Sequence, residues 1–155
     1  MSTGIRRTVL ACLAASAVLS PATVICETIV HEINTPFSTA LVNPCTGEVV
    51  AIEGTLDTTV AVTPDESGGF HSKIHTASKG SGVAAVSSTR YVYSEEFDSE
   101  FTSAGATTQT QTLNHFLTSA SATDNFFLKT TFHVTVNGTE VPTAFVDNFE
   151  TGCRG

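Results

Sequence analysis

The sequence predicts an all-β fold, a single antiparallel up-and-down β-barrel of about seven or eight strands, on three observations. Thr, Val, Ser, Ala and Phe dominate the chain after its first two dozen residues, with Gly, Asn and Asp between the runs, a composition of strands and turns. Long stretches alternate with a period of two, and no window holds a convincing helical period. Turn clusters recur at short intervals, so that consecutive strands are joined by short connections. A two-sheet β-sandwich is the alternative architecture; a closed barrel removes the edges that so Thr- and Val-rich a sheet exposes.

At the start of the chain, Arg6 and Arg7 precede an apolar run from Val9 to Leu19 that Ser20 and Pro21 interrupt. The layout is that of a secretory signal, and the run is too short to span a bilayer. The expected organisation is a signal peptide over 1–26, with the cut between 17 and 28, followed by a secreted β domain over 27–155. After the leader, five basic side chains face all fifteen acidic ones. That balance disfavours nucleic acid and anionic membrane surfaces as partners and suits a secreted or periplasmic protein.

The first mature strand is expected over Ile29 to Ile33. Asn43-Pro44-Cys45-Thr46-Gly47 then reads as a turn leading into the clearest strand, in which Val50, Ile52, Gly54, Leu56, Thr58, Val60 and Val62 form a dry face. Its length argues strong coiling, and Gly54 on the dry face marks a bend or bulge. Weaker strands are expected over Phe70 to Thr76, Val83 to Val86, Arg90 to Phe97 and Thr107 to Ser119. The turn clusters between them begin at Pro64, Lys79 (Lys79-Gly80-Ser81-Gly82), Ser103 and Ala122.

The last hairpin carries the strongest turn signal, Asn137-Gly138. A two-residue type I′ turn there pairs Val134 with Val141, Phe132 with Thr143, Thr130 with Phe145, Leu128 with Asp147 and Phe126 with Phe149. This register gathers four Phe on one face.

Of the four cysteines, Cys12 lies in the leader and Cys26 at its end, which leaves Cys45 and Cys153 as the expected disulfide of an oxidising compartment. The bridge closes a loop of over a hundred residues, for which chain entropy gives on the order of 4–5 kcal/mol.

The quoted segments Asn43-Pro44-Cys45-Thr46-Gly47-Glu48, Gly69 with His71 and His75, Asp124-Asn125-Phe126, Phe132 to Asn137 and the closing Cys153-Arg154-Gly155 resemble a family of small secreted bacterial proteins of no established activity. The resemblance implies export and a β fold and carries no catalytic residue. At the level of barrel shape alone there is a more distant likeness to lipocalin-like and allene-oxide-cyclase-like barrels.

Phase along the strands also selects the residues that could do chemistry. His115 alternates with Leu113 and Leu117, Glu95 with Tyr93 and Phe97, and Asp147 with Phe145 and Phe149. Each therefore points inward, where an ionisable group must find a partner or shift its pKa. In a ligand-holding barrel these three are the polar anchors among Phe126, Phe132, Phe145 and Phe149, and the expected ligand is a small apolar or amphipathic molecule. In a narrow barrel the four Phe are plain core, and in the alternative for the polar groups Asp147 sits in water at the barrel mouth while a backbone carbonyl satisfies His115. A structural or partner-binding protein is the alternative function, and an isomerase-type or cyclase-type enzyme using Asp147, Glu95 or His115 is a third.

No metal or other cofactor is expected. His71 and His75 stand about 13 Å apart on one strand face, there is no Cys-x-x-Cys, and neither a phosphate-cradling glycine loop nor an EF-hand occurs.

Overall fold

The computed structural model describes residues 5–13, 25–66, 68–104, 106–120, 124–136 and 142–154; of residues 5–13, 25, 26, 104, 106 and 143–147 it describes the backbone only. Eight strands follow in chain order: β1 (Ile5–Leu13), β2 (Ile25–Asn43), β3 (Glu48–Pro64), β4 (Phe70–Ala84), β5 (Arg90–Ala104), β6 (Ala106–Ser119), β7 (Asn125–Val136) and β8 (Pro142–Arg154). They form one sheet, each strand antiparallel to the next, in the order β1 to β8. The up-and-down order is the expected one. Among the described residues no ladder joins β8 back to the first strands, so the sheet is not closed as a barrel requires.

Of the apolar run Val9–Leu19, residues 9–13 fall in β1, which pairs with β2 from Ile5 opposite Ile33 to Leu13 opposite Ile25, and residues 14–19 lie outside the described residues. Ile5, Val9, Leu10 and Leu13 give this nine-residue segment enough apolar content for a strand, and a strand of that length and a signal core overlap in sequence pattern. No helix among the described residues is long and apolar enough to cross a membrane.

Registered rows across the inner face explain where the core sits. One row runs Phe37, Gly54, Gly80, Tyr93, Leu117, Phe126, Cys153; the next towards the turn between β2 and β3 runs Thr39, Ile52, Gly82, Tyr91, Ser119. Val50, Ile52, Ala84, Tyr91, Tyr93 and Leu117 are buried in one cluster, against which Phe37, Leu41 and Phe126 pack. In a flat sheet Phe37 and Tyr93 would stand three strand spacings apart, about 14 Å. Their rings lie 5.8 Å apart, over the two glycines between them.

Those glycines correct the expected turn at Lys79 to Gly82, because β4 runs unbroken through it. A Cβ on Gly54 would run into the carbonyl oxygen of Lys79, and one on Gly80 would lie 2.5 Å from that of Glu53. Gly82 leaves room for Val50, whose Cγ1 would be 2.7 Å from an added Cβ. Glycine is here a close-approach residue inside a bent strand rather than a turn former. In β2, a bulge between Glu32 and Thr35 holds Asn34 at φ 54°. It switches the inward phase from Val30 to Phe37 and Leu41, as an extra residue in one strand must.

The end of the sheet nearest the β2–β3 turn is sealed by a polar knot. Asn43, fully buried, accepts at Oδ1 from the Cys45 amide (2.9 Å) and donates through Nδ2 to Asp124 O (2.8 Å) and Tyr91 Oη (3.2 Å). Tyr91 donates to Asp124 Oδ2, whose other oxygen accepts from Ser119. The expected Cys45–Cys153 disulfide ties this turn to β8, with Cα atoms 5.7 Å apart.

That bridge also corrects the last hairpin. Val134 pairs with Phe145, Phe132 with Asp147, Thr130 with Phe149, Leu128 with Thr151 and Phe126 with Cys153. Asn137 and Gly138 lie outside the described residues, and a two-residue turn is excluded because Val136 pairs with Pro142. In the expected register Cys153 would overshoot the start of β7. In the observed one it lies opposite Phe126, and the carbonyl of the preceding Asn125 is 3.4 Å from Cys45 Sγ. The displacement is four residues, an even number, so the inward and outward faces survive it.

Gly80→Val is expected to lower stability by about 2 kcal/mol or more through overpacking, whereas Ser81→Val, exposed on the outer face of the same strand, changes it by less than ~0.5 kcal/mol. Urea denaturation of the two variants checks this. Replacing Cys45 and Cys153, 108 positions apart, with Ser is expected to cost about 3–5 kcal/mol; identical denaturation midpoints with and without reductant would contradict it.

Candidate functional site

Beyond the aromatic row the inner face changes character. The next row reads Thr35, Leu56, Ser78, Glu95, His115, Leu128, Thr151, and the one after it Thr58, Thr76, Phe97, Leu113, Thr130, Phe149. Glu95 and His115 stand directly opposite each other on β5 and β6, and Glu95 Oε2 lies 3.0 Å from His115 Nδ1. The His115 ring is buried, meeting Tyr93 edge-on at 5.1 Å and Phe126 at 5.9 Å. Both inward assignments made from strand phase therefore hold, and the two groups are each other's partner.

The hydrogen bond from His115 holds the Glu95 carboxyl below the usual carboxylate range, against partial burial that pushes the other way; Tyr93 adds to the lowering. Burial, and secondarily the Glu95 charge, push the Tyr93 phenol far upward. At neutral pH the cluster is thus an ionised carboxylate, an imidazole hydrogen-bonded to it and a protonated phenol. Such a set can orient a bound polar group or hold a proton at His115.

Past this pair the inner face opens into a trough of about 300 Å³ lined by Phe97, Gln111, Leu113, Thr130 and Phe132. Phe149 lies in the same row as Thr130 and is 64% exposed. Further out, Phe70 and Phe101 pack with ring centroids 5.5 Å apart. No inner-face residue of this half reaches the burial of Val50 or Leu117.

The expected cluster of four Phe is divided by this arrangement. Phe126 belongs to the sealed half, and Phe132 stands six residues along β7 in the trough, about 20 Å away along the strand. Phe145 and Asp147 face Val134 and Phe132 in the ladder, and their side chains lie outside the described set. Phe97, Leu113 and Gln111 complete the trough and were not among the expected site residues. Their signal was present, since Phe97 and Leu113 share the phase of Glu95 and His115.

The other histidines occupy the outer face, each beside the residue opposite it or one strand over. His31 meets Thr59 (3.0 Å), His71 meets Thr102 (2.7 Å), His75 meets Asp98 (2.7 Å) and His133 meets Thr110 (2.7 Å). Among the described residues no three His, Cys, Asp or Glu gather as metal ligands do. Comparison with protein families, curated proteins and solved structures finds no match.

Because the folded-state pKa of Glu95 is depressed from 4.5, its bond to His115 adds stability that is present above that value and lost as pH falls through the folded-state value. Glu95→Gln is expected to be less stable than the parent at neutral pH, with the gap closing on acidification. Urea midpoints of both proteins across the acid range measure it, and a gap that stays constant to low pH contradicts the assignment.

Proposed function

We propose that this chain is an exported protein whose curled sheet, wrapped in a barrel-like manner, binds a small apolar or amphipathic molecule in the trough of its inner face. The observation that carries the reading is the asymmetry of that face: one half holds the fully buried Val50, Ile52 and Leu117, while the other leaves Phe97, Leu113 and Phe132 around an open space. The volume, about 300 Å³, is at the small end of ligand sites, and apolar walls with a few polar groups are their usual lining. Export is supported by the charged and apolar leader and by a disulfide of the kind that persists in oxidising compartments.

A second reading, a structural or partner-binding protein, draws on Val42, Val49, Val83 and Val92, which are exposed on the outer face near the sealed end. The two readings differ in which face meets the partner.

An uncharged solvatochromic naphthalene dye distinguishes them. The parent is expected to bind it with a blue shift, and Phe132→Ala to weaken binding roughly tenfold, as loss of about 1.4 kcal/mol of apolar contact does. The same variant should lose less than the ~3–5 kcal/mol typical of emptying a packed aromatic site. A parent that binds no dye, with a severely destabilised Phe132→Ala, would mean a solid core and favour the outer face.

A further inference from the structure

The Glu95–His115 pair stands in the row next to the one that lines the trough and bears on what part of a ligand the trough receives, an inference that rests on the ligand-binding reading above. An ionised carboxylate has no proton to give, so the hydrogen of the 3.0 Å contact belongs to His115 Nδ1. In the neutral ring Nε2 is then the acceptor. No described residue bonds Nε2. Yet no fully buried side-chain nitrogen or oxygen of the described residues lacks a partner, so Nε2 reaches accessible space. Tyr93 and Phe126 pack against the ring, and fully buried Leu117 closes the row on the sealed side. The row on the other side is Phe97, Leu113 and Thr130, the wall of the trough.

The geometry points to an apolar ligand bearing a hydroxyl group, whose O–H donates to His115 Nε2 while its hydrocarbon lies along Phe97, Leu113 and Phe132. A carboxylate would be brought beside Glu95 in a chain of formal net charge −8, at a repulsive cost. An ammonium is drawn towards Glu95, but that carboxylate already accepts from His115 and Tyr93, and the remaining ammonium protons would lie unpaired against an apolar wall. An ether has no proton to offer Nε2. A hydroxyl can also accept, so the bond survives protonation of the ring.

Displacement of the naphthalene dye by dodecanol, its methyl ether, dodecanoate and dodecylamine tests this on the full chain. Dodecanol is expected to displace the dye at a concentration roughly five- to tenfold lower than the ether, the net worth of one hydrogen bond, and His115→Phe to abolish that difference. Should His115→Phe not fold, Glu95→Gln serves instead; it frees the tautomer at Nδ1, and the preference should shrink. Equal displacement by alcohol and ether, a preference unchanged in the variants, or stronger displacement by the acid or the amine would overturn the hydroxyl assignment while leaving the trough as a site. Failure of the parent to bind the dye at all would overturn both.

Discussion

The structure depends on the buried amide of Asn43. It accepts from the Cys45 amide within the β2–β3 turn and holds that turn against Tyr91 at the start of β5 and Asp124 just before β7 through two donor contacts, and Cys45 is bonded to β8. A sheet in which every strand pairs only with its chain neighbours has no ladder that fixes its overall curl. Here the curl is set by contacts that skip strands, and they concentrate at one end. A buried amide leaves little freedom in this geometry, because each unsatisfied donor or acceptor would cost about 1–3 kcal/mol. The disulfide acts on the unfolded chain instead, by shortening the search that brings β8 to the turn.

Curl of this strength needs backbone that can bend, and the inner face supplies it where it is most needed. Gly54 and Gly80 stand opposite each other with no side chain between them, and Phe37 and Tyr93 lean over the gap from either side. The aromatic pair returns the buried area that glycine lacks, the device by which sheets accommodate a kink without a cavity. Further along the same strands Thr58, Thr76, Val60 and Ile74 replace glycine. The walls there are not drawn together, and the face stays half-exposed. One sheet thus contains a sealed end and an open one because the small residues are confined to a few rows.

Much of this was legible in the sequence. Period-two alternation assigned the inner face along β3, β5, β6 and β7, and with it the inward direction of Glu95 and His115. The disulfide followed from cysteine count and compartment. Three things were not legible, for separate reasons. Gly80 and Gly82 read as a turn because glycine's two uses, positive φ and close backbone approach, look alike until the facing strand is known. The β7–β8 register was misjudged because Asn137-Gly138 is a local signal, and the position of Cys153 beside the Asn43 turn is a non-local requirement that overrides it. The pairing of Glu95 with His115 needed the β5–β6 register, which alternation leaves free by any even number of residues.

The placement of that pair follows from the same asymmetry. A carboxyl group in the sealed half has to be matched by hydrogen bonds, as each oxygen of Asp124 is by Tyr91 or Ser119, whereas at the open rim water would screen a carboxylate and weaken any contact it made. Glu95 and His115 occupy the row between. There the imidazole bond keeps the carboxylate ionised against burial, and the row that lines the trough lies next to it. A polar group in that row is desolvated more than at the open rim and less tightly enclosed than Asp124 in the sealed half, a combination that neither half of the sheet provides alone.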